Sequence, residues 1–217
     1  MYIPKSFVEH DIPTLQTFIQ QNAFATVITM ADSGPFATHM PFVLDPVRGS
    51  NGVLISHMAK ANPQWRHFAH MAAQDIDTLV IFQGPHAYIS PSWYASEFSV
   101  PTWNYTAVHA YGRPVIIEDE QRLQAMLDEL VAVYESAMPQ PWSVPWSDAR
   151  YTNLTKAIVG FEMEITRLEG KFKLNQNRPV ADQQGVIAQF QDSAHTDERI
   201  IAQRMMRNLM ADPVASQ

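Results

Sequence analysis

The first half of the chain is a succession of short β-rich runs separated by turns, and this pattern excludes most α/β architectures. Phe24 to Met30, Phe36 to Leu44, Val53 to His57, Thr78 to Phe82, His86 to Ile89 and Val108 to Ile117 each read as strands. Asp32-Ser-Gly-Pro35 and Asp45-Pro46 through Gly52 supply turns, and Gly112-Arg-Pro114 is expected to interrupt the sixth run. The regular strand–helix alternation of a doubly wound parallel sheet is absent. The pattern therefore predicts a mainly β chain, with antiparallel strands closing into a barrel and helices packed outside it. Pro41 has no N–H for a ladder, so its strand is expected at an edge, bulged, or bent there.

The helical segments are fewer. Ile12, Leu15, Phe18 and Ile19 share one face of a short helix that Asp11 can cap. Asn62-Pro63 predicts another, with Asn as N-cap, Pro as first helical residue and Gln64 to Phe68 as its body. Leu123, Leu127, Leu130, Tyr134 and Met138 recur at helical spacing behind Asp119. With a further helix capped by Asp148, residues 119–156 read as a helical insertion. Ile158 to Leu168 alternates as a half-buried strand, and Gly170 is expected to turn the chain into Phe172 and Leu174. Two helices, about 179–190 and 197–210, complete what reads as one domain, 1–217.

Composition narrows the chemistry. The 217 residues include no cysteine, so disulfides, Cys-bound metals and thiol catalysis are excluded. No apolar run is long enough to span a membrane and no secretory leader is evident, so a cytoplasmic protein is expected. The net charge of −7 argues against a nucleic-acid coat. That charge is uneven. Residues 1–149 hold 6 basic and 14 acidic side chains, whereas 150–178 hold 6 basic and 3 acidic. Arg167, Lys171, Lys173 and Arg178 crowd into one short stretch, a pattern suited to a solvated hairpin or to a bound anion. The C-terminal helix carries Arg199, Arg204 and Arg207, but Asp197, Glu198 and Asp212 flank them, and it does not read as a DNA-reading helix. Glycine-rich nucleotide motifs, GxSxG and HExxH are all missing. His39, His57, His67, His70, His86 and His109 fit polar hydrogen-bonding roles better than a metal site, and no metal is expected.

Four segments carry more polar and aromatic groups than a plain barrel needs: 37–42, 56–65, 83–94 followed by 100–105 and His109, and 170–178. In the second, Ser56, His57 and Lys60 precede a helix N-terminus, which offers unpaired N–H groups and a positive dipole end. That is a phosphate site in outline. In the third, Tyr88, Trp93, Tyr94, Trp103 and Tyr105 suit either a core or the walls around a planar ligand.

Four motifs are specific when taken together: MYIP at the start, GPHAYISPSWY (84–94), VPTWNY (100–105) followed by VHAYG (108–112), and IVGFEMEITRLEGKFKLNQNR (158–178). They resemble the PaiB family, described as FMN-binding negative transcriptional regulators and related to pyridoxamine-phosphate-oxidase-like flavin proteins. The resemblance runs from Met1 to about Met210. It implies an FMN-binding split β-barrel and a homodimer with FMN at the subunit interface. It further implies that Thr38, His39, Met40 and Pro41 lie along the flavin ring edge. Ser56, His57, Met58, Lys60 and Asn62 would lie near the phosphate and ribityl chain. Lys171, Lys173 and Asn175, with Asn104 and His109, would approach FMN from the same or the partner subunit. Asn175 departs from the family, where Ser is the expected residue. Two functions follow as expectations: a regulator acting indirectly, with direct DNA binding disfavoured, or an FMN-dependent oxidoreductase of the reductase or oxidase kind. No constellation names a substrate or a catalytic residue.

Overall fold

The computed structural model describes residues 1–211. Its strands are β1 (Val8–Glu9), β2 (Phe24–Ala31), β3 (Gly34–Pro41), β4 (Val43–Asp45), β5 (Val53–Ala59), β6 (Thr78–Ile89), β7 (Thr102–Ile116) and β8 (Ile158–Lys173). Its helices are α1 (Ile12–Gln21), α2 (Trp65–Ala73), α3 (Glu120–Glu135), α4 (Ala149–Thr155), α5 (Val180–Phe190) and α6 (Thr196–Ala211). The chain divides into two compact units. The larger comprises Ile12–Phe82 and His109–Leu168; the smaller comprises Met1–Asp11, Gln83–Val108 and Glu169–Gln217.

In the larger unit the strand order is β3-β2-β6-β7-β8-β5-β4. The β2–β3 pair is an antiparallel hairpin, Ala31 opposite Gly34 and Phe24 opposite Pro41. The run predicted from Phe36 to Leu44 is two strands, broken at Phe42, whose N–H turns to Ala23 O at 2.9 Å. Pro41 thus both ends a strand and sits on an edge strand, as its missing N–H requires. β5 runs antiparallel to β8, Ser56 opposite Phe161 and His57 opposite Gly160.

Three sequence breakers do not break anything. The two runs predicted at 78–82 and 86–89 are the single strand β6, which passes through Gly84-Pro85. β7 begins at Thr102 and continues through Gly112-Arg-Pro114. Gly170 makes no turn, because β8 runs on to Lys173 and pairs Gly170 with Glu9 of β1. The reason is plain at Gly112: a Cβ there would overlap the backbone oxygen of Glu164. The glycine permits close backbone approach rather than a turn.

The larger unit's core is aromatic at its centre. Phe161 lies 5.0 Å from Phe68 and 6.1 Å from Phe42, which in turn is 5.9 Å from Phe82. Each such ring, fully removed from water, is worth about 2–3 kcal/mol. Asp119 caps α3, accepting from Arg122 N at 2.7 Å, and Asp148 caps α4 in the same way at 2.9 Å. α3 buries Met126 and Leu130 against Val53 and Ile55, with Leu123 and Leu127 beside them. The predicted stripe was one residue too far round: Met126 is fully buried, whereas Tyr134 and Met138 are about half exposed. The smaller unit packs α5 against α6. There Phe190 stacks edge-on to Trp93 at 5.3 Å, and Ile201, Ala202 and Met205 are buried. No helix among the described residues is long and apolar enough to cross a membrane.

Candidate functional site

In the larger unit, strand alternation sorts the candidate residues by face. On β3, Met40 is buried and Thr38 half-buried, while His39 and Pro41 are exposed. His39 Nδ1 lies 2.9 Å from Thr26 Oγ1 across the hairpin. Thr38 Oγ1 instead accepts from Asn62 Nδ2 at 3.0 Å. Asn62 Oδ1 accepts from Gln64 N at 3.0 Å, and the wholly buried Gln64 amide donates to Val27 O, Phe36 O and Thr29 Oγ1. Thr29 Oγ1 completes the chain at His67 Nδ1, 2.9 Å away. This polar network pins the start of α2 to β2 and β3. Thr38 and Asn62 were expected in the site; Gln64, Thr29 and His67 were not.

The helix start differs from the expectation. α2 begins at Trp65, with Gln64 as its N-cap residue. Asn62 lies in the preceding turn and satisfies Gln64 N from there. Arg66 N bonds Pro63 O and His67 N bonds Gln64 O, both at 3.0 Å. Gln64 N, Arg66 N and His67 N are thus already engaged within the chain. Lys60 holds its loop by its backbone, N to Ala157 O at 2.8 Å and O from Trp65 Nε1 at 3.1 Å, with its side chain exposed.

Ser56 and His57 point to opposite faces of β5. Ser56 Oγ is buried and donates to Pro41 O at 2.6 Å; Met58, on the same face, is also buried. His57 shares its face with Val53 and Ile55, the residues under α3. Its Nδ1 is sealed from solvent and has no hydrogen-bond partner among the described residues. Burial pushes the imidazole below its ordinary pKa, so the ring is neutral at pH 7. His109 lies on β7, its Nδ1 3.5 Å from Tyr111 Oη, and the Arg167 guanidinium stacks 3.4 Å over the Tyr111 ring.

The smaller unit holds the other candidates. Lys171 is buried, donates to Tyr2 O at 3.0 Å and lies over the rings of Tyr2 and Tyr105. Lys173 donates to Thr102 Oγ1 at 2.5 Å and to Trp103 O. Burial lowers the Lys173 pKa, and the neighbouring charges of Lys171 and Arg178 lower it further. Arg178 stands 4.6 Å over Tyr94 and 3.8 Å from Asp182. Asn104 is fully buried, its amide 3.5 Å from Met205 Sδ on α6 and its Oδ1 unpartnered among the described residues. Asn175 sits at φ 62° and donates to Tyr94 Oη at 3.1 Å. Asn tolerates this left-handed backbone better than most residues.

Among the described residues, Lys171 and Lys173 are neighbouring, partly desolvated ammonium groups that repel each other and donate to neutral oxygens, an arrangement that could accommodate an anion. A phosphate bearing close to two negative charges would reverse their repulsion, so the residues present fit FMN. FMN, when bound, supplies hydride and electron transfer, chemistry that belongs to the cofactor.

Comparison with known proteins agrees. A family model described as "Putative FMN-binding domain" matches residues 1–167. The Bacillus subtilis protein named protease synthase and sporulation protein PAI 2 is 38% identical over 208 residues, covering 94% of this chain and 96% of that protein. Among solved structures, the flavocytochrome Anf3 of Azotobacter vinelandii aligns with a TM-score of 0.59 at 15% identity, over 79% of this chain and 72% of that one. The FAD and heme binding protein of Mycobacterium smegmatis aligns with a TM-score of 0.55 at 15% identity, over 76% and 73%. These two structures speak for the fold, the split β-barrel that the motifs led us to expect. The chain belongs to the PaiB family of FMN-binding proteins, and FMN is its cofactor.

Proposed function

We propose that this flavoprotein is a homodimer that influences transcription indirectly, through its flavin or a protein partner, and does not itself read DNA. The observation that carries the second half is the state of α6. Arg199 is tied to Ser193 O at 2.5 Å and to Thr196 Oγ1 at 3.1 Å. Arg204 lies 5.3 Å over Phe172, and the helix buries Ile201, Ala202 and Met205. A reading helix needs its cations and polar side chains turned outward to phosphates and base edges. A gel-shift series at physiological salt tests this with fragments upstream of the protein's own gene and its neighbours. No shift is expected; a sequence-specific shift that weakens with salt would overturn the reading. Light scattering is expected to give twice the chain mass, and a monomer at micromolar concentration would remove the dimer.

Within this reading the FMN phosphate rests on Lys171 and Lys173. The supporting observation is their partial burial against neutral acceptors only.

A second reading is an FMN-dependent oxidoreductase. It is favoured by the contact of His109 with Tyr111, two proton-bearing groups 3.5 Å apart under the Arg167 charge. Anaerobic mixing of the FMN-loaded protein with NADH, and separately NADPH, decides for it if the flavin bleaches at 450 nm within seconds. Failure with both removes nicotinamide-linked reduction.

A further inference from the structure

On the outer side of β5, under α3, lies a pocket of about 300 Å³ lined by Pro41, His57, Leu127, Leu130, Tyr134 and Trp142, with Val131 and Glu135 at its rim. Its walls are almost wholly apolar. The polar groups around it are already engaged: Tyr134 Oη donates to Phe42 O at 3.3 Å, Pro41 O accepts from Ser56, and Glu135 accepts from Trp142 N at 2.8 Å. That last bond fixes the 139–146 loop, and the Trp142 ring is steadied by Tyr151 at 6.1 Å. The aromatic wall is therefore held in place before any ligand arrives.

His57 is the exception among these groups. Its Nδ1 is sealed and, among the described residues, unpartnered. A sealed N–H without a partner is rarer and costlier than a bare nitrogen lone pair, so the proton of the neutral ring resides on Nε2. The His57 imidazole and the Trp142 indole are then the donors left to the pocket. The volume equals roughly ten waters, too small for a peptide helix or for FMN with its phosphate. No cation lines it among the described residues, so an anionic ligand would lose its hydration without compensation.

We propose that this pocket binds a small, neutral, planar aromatic compound carrying a hydrogen-bond acceptor, the class of aromatic ketones and quinones. The ring system lies between the leucines of α3 and the rings of Tyr134 and Trp142, and its carbonyl accepts from His57. The proposal does not depend on the phosphate assignment to Lys171 and Lys173, and it gives Pro41 and His57, which the family resemblance implied as flavin contacts, to this ligand instead.

Titration of the full-length protein with 2-acetylnaphthalene, with and without FMN, tests this, followed by NMR of the histidine ring protons and by calorimetry. One molecule per chain is expected to bind, at least tenfold more tightly than naphthalene, which lacks the acceptor, and than 2-naphthoate, which is charged. In His57→Leu the preference for the ketone over naphthalene disappears. In Leu127→Trp, which fills the pocket, both compounds lose saturable binding while the far-ultraviolet spectrum is unchanged. Absence of saturable binding to the parent protein, an unchanged ketone preference in His57→Leu, or displacement of the probe by FMN would each overturn the proposal. FMN binding, read independently by quenching of flavin fluorescence, keeps a failure here distinct from a failure of the cofactor assignment.

Discussion

Replacing Glu162 by Gln tests how α3 is held on the sheet. The Glu162 carboxylate, on β8, accepts from Arg48 Nη2 at 2.6 Å and also from Arg122 of α3, which holds Glu129 at 2.9 Å with its other nitrogen. Glu162 itself is 19% exposed, but Arg48 is 45% exposed, so solvent screens much of that half of the bridge. Arg122, at 35%, is screened somewhat less. The substitution keeps the shape and removes the charge, leaving two arginines without their common partner. We expect a loss of about 1–2 kcal/mol, which for a chain of this size lowers Tm by about 2–8 °C. The hydrogen bond from Arg48 does most to pull the Glu162 pKa below the usual carboxylate value; burial opposes it and Arg122 adds to it. A depressed folded-state pKa contributes stability that is full above the unfolded value, about 4.3, and is lost as pH falls through the folded one. Melting curves of parent and variant should therefore stand apart at pH 7 and converge in acid. A gap that stays constant down to about pH 3, or no gap at pH 7, would refute the reasoning.

Other consequences are as direct. Gly112→Ala forces a Cβ into the Glu164 carbonyl oxygen, a backbone atom that cannot rotate away, and should cost about 3 kcal/mol or more in urea denaturation. A parent-like midpoint would show that the strands are not so close. In the smaller unit, Asp182 is buried and accepts from Ser96 N at 2.9 Å and Ser96 Oγ at 2.8 Å. Burial alone would raise its pKa, but these bonds and Arg178 outweigh it and lower it. Asp182→Ala should accelerate proteolysis within 95–101 at pH 7, and acid should loosen that loop in the parent before the fold melts. Equal cleavage rates would remove the tether.

The strands were legible because β-rich runs and turn residues are local signals; what misled was reading glycine and proline as punctuation. Gly112 lies inside a long strand because a Cβ there would overlap Glu164 O, and Gly170 pairs with Glu9, both partners distant in sequence. The opposite facing of Ser56 and His57 was available from the period of the strand alone. The Gln64 network was not, since its acceptors are carbonyls of β2 and β3 that only the folded hairpin presents. The basic run at 171–178 was visible as charge. That Lys171 and Lys173 donate to the carbonyls of Tyr2 and Trp103 was not visible, because those partners are set against them only by the fold. Helical spacing gave α3 its apolar face but missed Met126, the residue that the sheet beneath selects.

FMN is the chain's cofactor, and we propose that Lys171 and Lys173 grip its phosphate. The most direct test of that grip compares FMN with riboflavin, which lacks the phosphate, by calorimetry on the parent and on a Lys171→Met/Lys173→Met variant. Two charge-assisted contacts of about 1.5–3 kcal/mol each predict that the parent prefers FMN by about 100-fold or more. The double variant should bind riboflavin as before and lose most of that preference. Equal affinity of the parent for the two flavins, or an undiminished preference in the variant, would contradict it.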